Sequence, residues 1–250
     1  MELSMNTPLE KQFEYGFAKI SDLRVAAVRD EAGNLPHIAG VELKGQPIHA
    51  TPRFWRSFFS RFHVAENTFR YFSHAEVFQR ISTISPCETF RYCLEHKEES
   101  HPNILAISPP SRPLIEYEEV LDLIGRYEGD DITYHEGVVR STHAPRSGEH
   151  PVEIGGDGFK NRYVLTVPID GHGLPKIHLA LLRLLCTNGA IGHHRAFRTD
   201  INLGKDIKYS VGRVLDRYDN DNGYAALWQR FESAQSSWAS LREAQQLYKI

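Results

Sequence analysis

The residue types that could do chemistry are concentrated between positions 170 and 189. The segment from Asp170 to Gly173 follows one apolar run, and the segment from Cys186 to Gly189 ends the next. A thiol, an imidazole and a carboxylate can form a hydrolytic site if a nearby base activates the thiol. A cysteine at the end of an apolar run is more often buried, and burial disfavours the thiolate. We therefore predict no catalytic residue and interpret five positions as a structural motif: Asp170, Gly171, Cys186, Asn188 and Gly189.

Four histidines near two carboxylates raise the question of a metal site. They are His172, His178, His193 and His194, close in sequence to Asp170 and Asp200. Imidazole and carboxylate are common zinc ligands, but spacings such as His-Glu-x-x-His do not occur here. The glycines at 171 and 173 also lack the Lys-Ser/Thr of a phosphate-binding loop, and a hairpin turn explains them. We expect solvated or capping histidines, no metal and no cofactor.

Basic residues indicate a different chemistry, the binding of an anionic polymer. The chain carries a net charge of −3, but from Arg183 to Arg217 seven basic residues face three acidic ones, a local balance of +4. From Glu116 to Asp157, eleven acidic residues face three arginines, a balance of −8. Such segregation permits an anion-binding face on an acidic protein. The residues that we predict to contact nucleic acid are Arg183, Arg195, Arg198, Lys205, Lys208, Arg53 and Arg56.

Two of these arginines belong to a segment in which basic and aromatic residues interleave. Arg53 and Arg56 flank Phe54 and Trp55, and further aromatic residues follow to Phe72. Surfaces that hold single-stranded nucleic acid combine cationic side chains with aromatic rings on which bases stack. The helical spacing of the aromatic residues favours a buried core face instead, with the arginines on the solvated face. The arginines can contact phosphate in either case.

The elements that position these residues alternate between strands and helices. We predict a helix from Leu9 to Ile20 and an antiparallel meander from Leu23 to Ala50, because the latter contains short apolar runs separated by turn residues. Three helices are expected from Pro52 to Lys97. Thr51 precedes a proline, and Ser73 and Ser85 each begin a capping-box pattern.

The middle of the chain mixes strands and loops. The predicted elements are a strand from Asn103 to Ser108, a loop from Pro109 to Pro113, a helix from Tyr117 to Ile124, a strand from Ile132 to Arg140 and a long mobile loop from Thr142 to Phe159. Prolines exclude helix and central strand from the first loop, and glycine, proline and serine are frequent in the second.

A central hairpin and a helical tail complete the predicted fold. Tyr163 to Ile169 is a strand, and the apolar run from Ile177 to Cys186 fits either a strand or a helix. The turn residues before this run favour the strand. From Asp206 to Ile250 the pattern is mostly helical. We predict an α+β protein with an antiparallel sheet, packed helices and a helical C-terminal tail, divided into a core at 1–205 and a tail at 206–250.

Composition narrows the setting. The 250 residues are 41 % hydrophobic, which is ordinary for a globular protein, and no apolar run approaches the roughly 20 residues that span a bilayer. The first residues show no signal-peptide pattern. Three cysteines, Cys87, Cys93 and Cys186, are too few for a disulfide framework. We expect reduced thiols in a cytoplasm and no membrane partner.

Three segments carry a resemblance to a known family. They are ILAISPPSRPLIEYEEVLDLI, YVLTVPIDGHGLPKIHLALLRLLCTNGAI and FRTDINLG, and the second contains the Arg-x-x-Cys-x-Asn-Gly element at Arg183, Cys186, Asn188 and Gly189. Together they resemble the phage/plasmid-related proteins grouped as domain of unknown function 932, over roughly Thr51 to Gly204. The loop from Pro109 to Pro113 replaces the Ser-x-x-Tyr expected of that family. The resemblance implies a mobile-element setting and no established reaction.

These observations support three hypotheses of function. The first is nucleic-acid binding in phage or plasmid DNA metabolism, such as the binding or annealing of single-stranded DNA. The second is a structural or interaction protein, a phage assembly or host-takeover factor, that forms homo-oligomers through the helical tail. The third is a hydrolase that uses Asp170, His172 and Cys186.

Overall fold

The computed structural model describes residues 12–28, 37–97, 100–144, 152–154, 157–183, 191–201, 207–220 and 233. It confirms the predicted α+β class, because the described residues form two six-stranded sheets and four helices. Within this described part, no helix combines the length and apolar content that crossing a bilayer requires.

The first sheet is built from the N-terminal part of the chain. Its strands are β1 (Gln12–Lys19), β2 (Leu23–Val28), β3 (His37–Leu43), β4 (Gln46–Ala50), β5 (Thr89–His96) and β6 (Asn103–Ser108). They lie in the order β1-β5-β6-β4-β3-β2, with β4 and β6 parallel and the other neighbours antiparallel. The antiparallel meander predicted from Leu23 to Ala50 is confirmed as β2, β3 and β4. The turn residues at 30–34 lie outside the described residues.

Two predicted helices are strands. The helix expected from Leu9 to Ile20 is wrong for the described part, which forms β1 and a short 3₁₀ turn. Phe13, Tyr15 and Phe17 alternate with small or polar residues, and this period of two fits a strand. The third helix expected between Pro52 and Lys97 is also wrong, because Ser85 is followed by a turn and then by β5, which begins at Thr89. Four consecutive residues of β5, from Tyr92 to Glu95, are buried, which a strand in the interior of a sheet allows.

The two other helices of that segment are confirmed with their caps. In α1 (Pro52–Arg61), the Thr51 hydroxyl accepts a hydrogen bond from the Phe54 amide at 3.1 Å. In α2 (His74–Ile84), the Ser73 side chain and the Glu76 carboxylate form a capping box. Both helices cover one face of the first sheet, where the largest buried side chains are Phe54, Phe58, Phe90, Ile20 and Ile104.

The second sheet follows in the chain. Its strands are β7 (Gly129–His135), β8 (Val138–His143), β9 (Val152–Ile154), β10 (Asp157–Pro168), β11 (Lys176–Arg183) and β12 (Ile191–Asp200). The order is β12-β11-β10-β8-β7, with β9 paired to β10, and all pairings are antiparallel. The single strand predicted from Ile132 to Arg140 is a hairpin, since Glu136 and Gly137 turn the chain between β7 and β8. The long loop predicted from Thr142 to Phe159 is wrong where it is described, because β8, β9 and β10 include parts of it.

The predicted central hairpin is confirmed. In β10 and β11, Thr166 lies opposite Lys176 and Tyr163 lies opposite Leu179, so the apolar run after Ile177 is a strand as far as Arg183. Cys186, Asn188 and Gly189 lie outside the described residues.

Helices α3 (Tyr117–Arg126) and α4 (Ile207–Asn220) complete the described part. Val120, Leu123 and Ile124 of α3 and Val211 and Leu215 of α4 join the core of the second sheet. The predicted strand from Asn103, the loop from Pro109 and the helix from Tyr117 are confirmed. The helical tail is confirmed over α4, and the residues beyond it lie outside the described part except residue 233.

Candidate nucleic-acid interface

A buried carboxylate holds the turn between β10 and β11 in place. The Asp170 side chain is fully buried, and it accepts hydrogen bonds from Arg53 Nη2 at 2.9 Å and from the His172 amide at 2.9 Å. Arg53 Nε donates to the second carboxylate oxygen. This two-point contact of guanidinium with carboxylate fixes both side chains. The ion pair therefore joins the first turn of α1 to the hairpin of the second sheet.

Gly171 follows in a conformation that other residues rarely adopt. Its φ is +75°, and a Cβ at this position would lie 2.6 Å from the Ser108 hydroxyl of β6. The close approach lets the hairpin turn pack against the first sheet. Asp170 and Gly171, predicted as a structural motif, thus both lie at the contact between the two sheets.

His172 lies in a positively charged environment. Burial lowers the pKa of the half-buried His172 imidazole, and the charges of Arg53, Arg112 and Arg56 act in the same direction against the opposing effect of Asp170. The lowered pKa favours the neutral imidazole. Three arginines from two distant parts of the chain are therefore close to one turn.

Basic residues lie on the side of the second sheet opposite its core, around Val164 and Thr142, which are buried on that side. Alternate residues of β10 share a face, so Tyr163, Leu165 and Val167 enter the core whereas Arg162 and Thr166 lie on the other side. Directly opposed residues of neighbouring strands also share a face. Thr166 lies opposite both Arg140 and Lys176.

His178 belongs to the same side, because it lies opposite Val164, two residues from Thr166. We call Arg140, Arg162, Lys176 and His178 the basic face. Arg140 is exposed, and the other three are partly exposed.

The strand register places one of the residues that we predicted to contact nucleic acid beside the basic face. Arg198 of β12 lies opposite His178, and Arg195 falls in the irregular stretch that follows between β11 and β12. Arg183 lies opposite Phe159, which by alternation belongs to the other side of β10. Three acidic residues lie beside the basic face. Asp200 is opposite Lys176, Asp130 is opposite Thr142, and the Asp131 carboxylate accepts a hydrogen bond from the Thr142 hydroxyl at 3.1 Å.

The remaining predicted contacts lie elsewhere. Arg56 is exposed on α1, Lys208 belongs to α4, and Lys205 lies outside the described residues. Arg53 is 14 % exposed and is committed to Asp170, so we do not include it in the interface. The sequence interpretation missed Arg140, Arg162 and Lys176. The sequence does show that Arg162, Val164 and Thr166 are alternate residues of one strand and therefore share a side. Arg140 and Lys176 can be assigned to that side only when the neighbouring strands are known.

The aromatic residues of α1 pack in the core, as their helical spacing predicted. Phe54 and Phe58 are fully buried, and Phe59 is 9 % exposed. The Trp55 ring stacks on Phe59 with ring centroids 5.6 Å apart. These rings are therefore not a platform for bases.

The described residues offer little for hydrolysis. Both oxygens of Asp170 already accept hydrogen bonds, and Cys186 lies outside the described part. Burial raises the pKa of the Cys93 thiol well above its usual value, and the negative charge of Asp170 adds to this effect. Within the described ranges, no group of three potential metal ligands comes together.

Comparison with protein-family models, with curated proteins and with solved structures gives no match. The resemblance to the phage/plasmid-related family stays a prediction. The function must therefore be argued from the site itself.

Proposed function

We propose that the protein binds single-stranded nucleic acid, with DNA favoured, across the basic face and the adjoining Arg198. The observation that carries this proposal is the register, which gathers Arg140, Arg162, Lys176 and His178 on one side of three neighbouring strands. Cationic side chains supply most of the affinity of nonspecific nucleic-acid binding through contacts with phosphates. The resemblance implies that this activity serves phage or plasmid DNA metabolism in a cytoplasm.

The dimensions of a sheet suit this role. Neighbouring strands lie about 4.8 Å apart and alternate residues of a strand about 6.7 Å apart, so the basic face spans roughly 15 Å. A flexible backbone can place several phosphates on such a surface. Contacts with phosphate carry no information about base sequence, and we expect weak sequence preference.

The first prediction tests the basic face by removing two charges. In the variant Arg140→Ala/Lys176→Ala, affinity for a fluorescent oligothymidine should fall for every sequence alike. Each lost phosphate contact flattens the dependence of log K on log salt by about 0.7 for single strands, so the slope should flatten by about 1.4. Fluorescence anisotropy at several salt concentrations measures both quantities.

The matched control removes the same charge elsewhere. Arg80 and Arg126 are exposed on α2 and α3, away from the second sheet's outer face, and Arg80→Ala/Arg126→Ala should bind like the parent. Equal losses in the two variants would show that net charge alone matters. Absence of binding by the parent at low salt would remove nucleic acid from consideration.

The assembly hypothesis is then the alternative. It is favoured by two exposed aromatic side chains before α2, Tyr71 at 81 % and Phe72 at 47 % exposure, since exposed aromatic pairs often mark contacts with other proteins. A solution mass measurement with and without an oligonucleotide separates the hypotheses. A mass of several chains without ligand supports assembly, and a mass increase by one oligonucleotide supports nucleic-acid binding.

A further inference from the structure

A cleft of about 540 Å³ opens at the edge of the first sheet. It lies between the edge strand β1 and the loop that follows β6, and its volume falls within the range of small-molecule sites. The lining residues that matter are Tyr15, Phe17, Arg91, Arg112, Leu114 and Glu116. The cleft is separate from the basic face, which belongs to the second sheet.

Two arginines in this cleft are held by neutral groups. Arg91 donates from Nη1 to the Arg112 carbonyl at 2.8 Å and from Nη2 to the Pro110 carbonyl at 3.0 Å. Arg112 Nη2 donates to the Gly173 carbonyl at 2.9 Å. The ion pairs formed among the described residues include neither arginine.

The positive charges of Arg91 and Arg112 are thus fixed in position, and neither forms an ion pair with a carboxylate among the described residues. A guanidinium has five N–H donors, so Arg91 retains three and Arg112 four beyond these bonds. Fixed guanidinium groups with spare donors suit the two-point recognition of phosphate.

Phe17 adds an exposed aromatic surface beside them. It lies opposite Arg91 in the register of β1 and β5, and Arg91 Cζ is 5.2 Å from the centre of its ring. Phe17 remains 52 % exposed, whereas Phe54, Phe58, Phe59, Phe78 and Phe90 are buried. One face of the Phe17 ring can stack against a nucleobase while the Arg91 guanidinium covers the other face.

We propose that this cleft binds a nucleotide, with the base on Phe17 and a terminal phosphate on Arg91 and Arg112. Two guanidinium charges match the charge of about −2 on one phosphate monoester at neutral pH. Glu116 on the same wall disfavours further negative charge, so a monophosphate should bind more tightly than a triphosphate. The ligand is either a free nucleotide or the 5′-phosphorylated end of a strand, because both present the same chemistry.

The test uses adenosine 5′-monophosphate and adenosine with the full-length protein. Isothermal titration should detect the monophosphate and show much weaker binding of adenosine. Phe17→Leu should weaken monophosphate binding about tenfold through the loss of stacking. Arg112→Gln should weaken it by at least as much, while adenosine binding changes little.

Controls separate binding from folding. Arg80→Ala removes an exposed charge outside the cleft and should leave the affinity unchanged. Thermal melting checks each variant. Because Arg112 also holds the hairpin turn, Phe17→Leu on the edge strand keeps the test available if Arg112→Gln fails to fold. Equal affinity for adenosine and its monophosphate, or no affinity for either, would overturn the proposal.

A second pair of probes identifies the source of the nucleotide. Tighter binding of a 5′-phosphorylated oligonucleotide than of its 5′-hydroxyl form, lost in Phe17→Leu, assigns the cleft to strand ends. Monophosphate binding without this difference assigns it to free nucleotides. The two proposals fail separately. Failure of the 5′-hydroxyl oligonucleotide to bind removes only the basic face, and failure of the monophosphate to bind removes only the cleft.

Discussion

At the scale of single residues, the Arg53–Asp170 pair illustrates how a buried charge is tolerated. A carboxylate removed from water is costly unless donors and an opposite charge replace the lost hydration. Here one guanidinium and one backbone amide do so. The contact joins residues 117 positions apart, so no local sequence pattern could predict it.

The second prediction concerns this pair. Arg53→Met should lower the free energy of unfolding by about 3–5 kcal/mol, because it leaves the Asp170 carboxylate buried without its partner. Arg61→Met is the matched control, since Arg61 forms a half-exposed ion pair with Glu88 and should lose less than about 1 kcal/mol. Urea unfolding measures both. The double variant Arg53→Met/Asp170→Asn should recover part of the stability lost in Arg53→Met, because it removes the unpaired charge. Equal stability of Arg53→Met and Arg61→Met would contradict the buried-charge explanation.

The third prediction concerns His172 and pH. Its pKa in the folded protein is lowered from the usual 6.5, so the unfolded chain binds the proton more readily. Stability from this group is complete above about pH 6.5 and is lost as the pH falls toward the lowered value. In His172→Gln, the free energy of unfolding should therefore depend less on pH between about pH 5 and pH 7.

His74 retains its own contribution in that variant, because burial lowers its pKa too. The His172 backbone bonds are also retained, since Arg53 and Asp170 contact its carbonyl and amide rather than its ring. Urea titrations at several pH values measure the change. An unchanged pH dependence in His172→Gln would mean that neither burial nor the arginines around this ring lower its pKa in the folded protein.

At the scale of elements, the sequence predicted structure correctly where the stabilising contact joins residues that are close together in the chain. Thr51 and Ser73 cap their helices through hydrogen bonds within three residues, and sequence spacing is enough to identify them. Ser85 carries the same pattern but precedes β5, whose burial among β1 and β6 overrides the local preference. The basic face could not be predicted for a related reason. It depends on which strands are neighbours, and that is a property of the whole sheet.

The fourth prediction concerns the hairpin turn. Gly171→Ala should lower the free energy of unfolding by about 1–3 kcal/mol, because φ is positive there and the new Cβ meets the Ser108 hydroxyl. Gly45→Ala, in the turn between β3 and β4, separates the two causes, since its φ is also positive, at +79°, but nothing lies within 4 Å of a Cβ at that position. Gly171→Ala should therefore cost more than Gly45→Ala in urea unfolding.

Ser108→Ala tests the contact from its other side. The Ser108 hydroxyl is buried without a hydrogen-bond partner among the described residues, so its removal should be neutral or stabilising. Combined with Gly171→Ala, it should recover the part of the loss that comes from the clash. No recovery would assign the whole effect to backbone strain.

At the scale of the whole molecule, the segregation of charge seen in the sequence places acidic residues at one edge of the second sheet and Arg198 at the other. The acidic residues Asp130 and Asp131 lie on the edge strand β7, and Arg198 lies on the opposite edge strand β12. Four strand spacings separate these edges, roughly 19 Å, which exceeds the screening length of about 8 Å at physiological salt. Neutralisation of one edge by the other is therefore weak.

The fifth prediction follows from that separation. Arg195→Ala/Arg198→Ala should weaken oligonucleotide binding and flatten its salt dependence by about 1.4, which is about 0.7 for each of two lost phosphate contacts. Stability should change by less than about 1 kcal/mol, because these residues are too far from the acidic edge to stabilise it. Anisotropy and urea unfolding measure the two effects. Loss of stability with unchanged binding would support a purely structural role for these arginines.

The contact between Arg53 and Asp170 also has a consequence for the order of synthesis. All strands of the first sheet lie within residues 12–108, whereas Asp170 belongs to a turn that the ribosome delivers later. Before the hairpin docks, the Arg53 side chain can stay charged and hydrated in solvent with little free-energy cost. Burial of the Asp170 carboxylate is least costly when this positive partner is already in place. If the N-terminal half forms its sheet and α1 first, Arg53 is already in place when the hairpin is synthesised. The positive charge of Arg53 would then attract Asp170 and help the hairpin turn to dock in its native position.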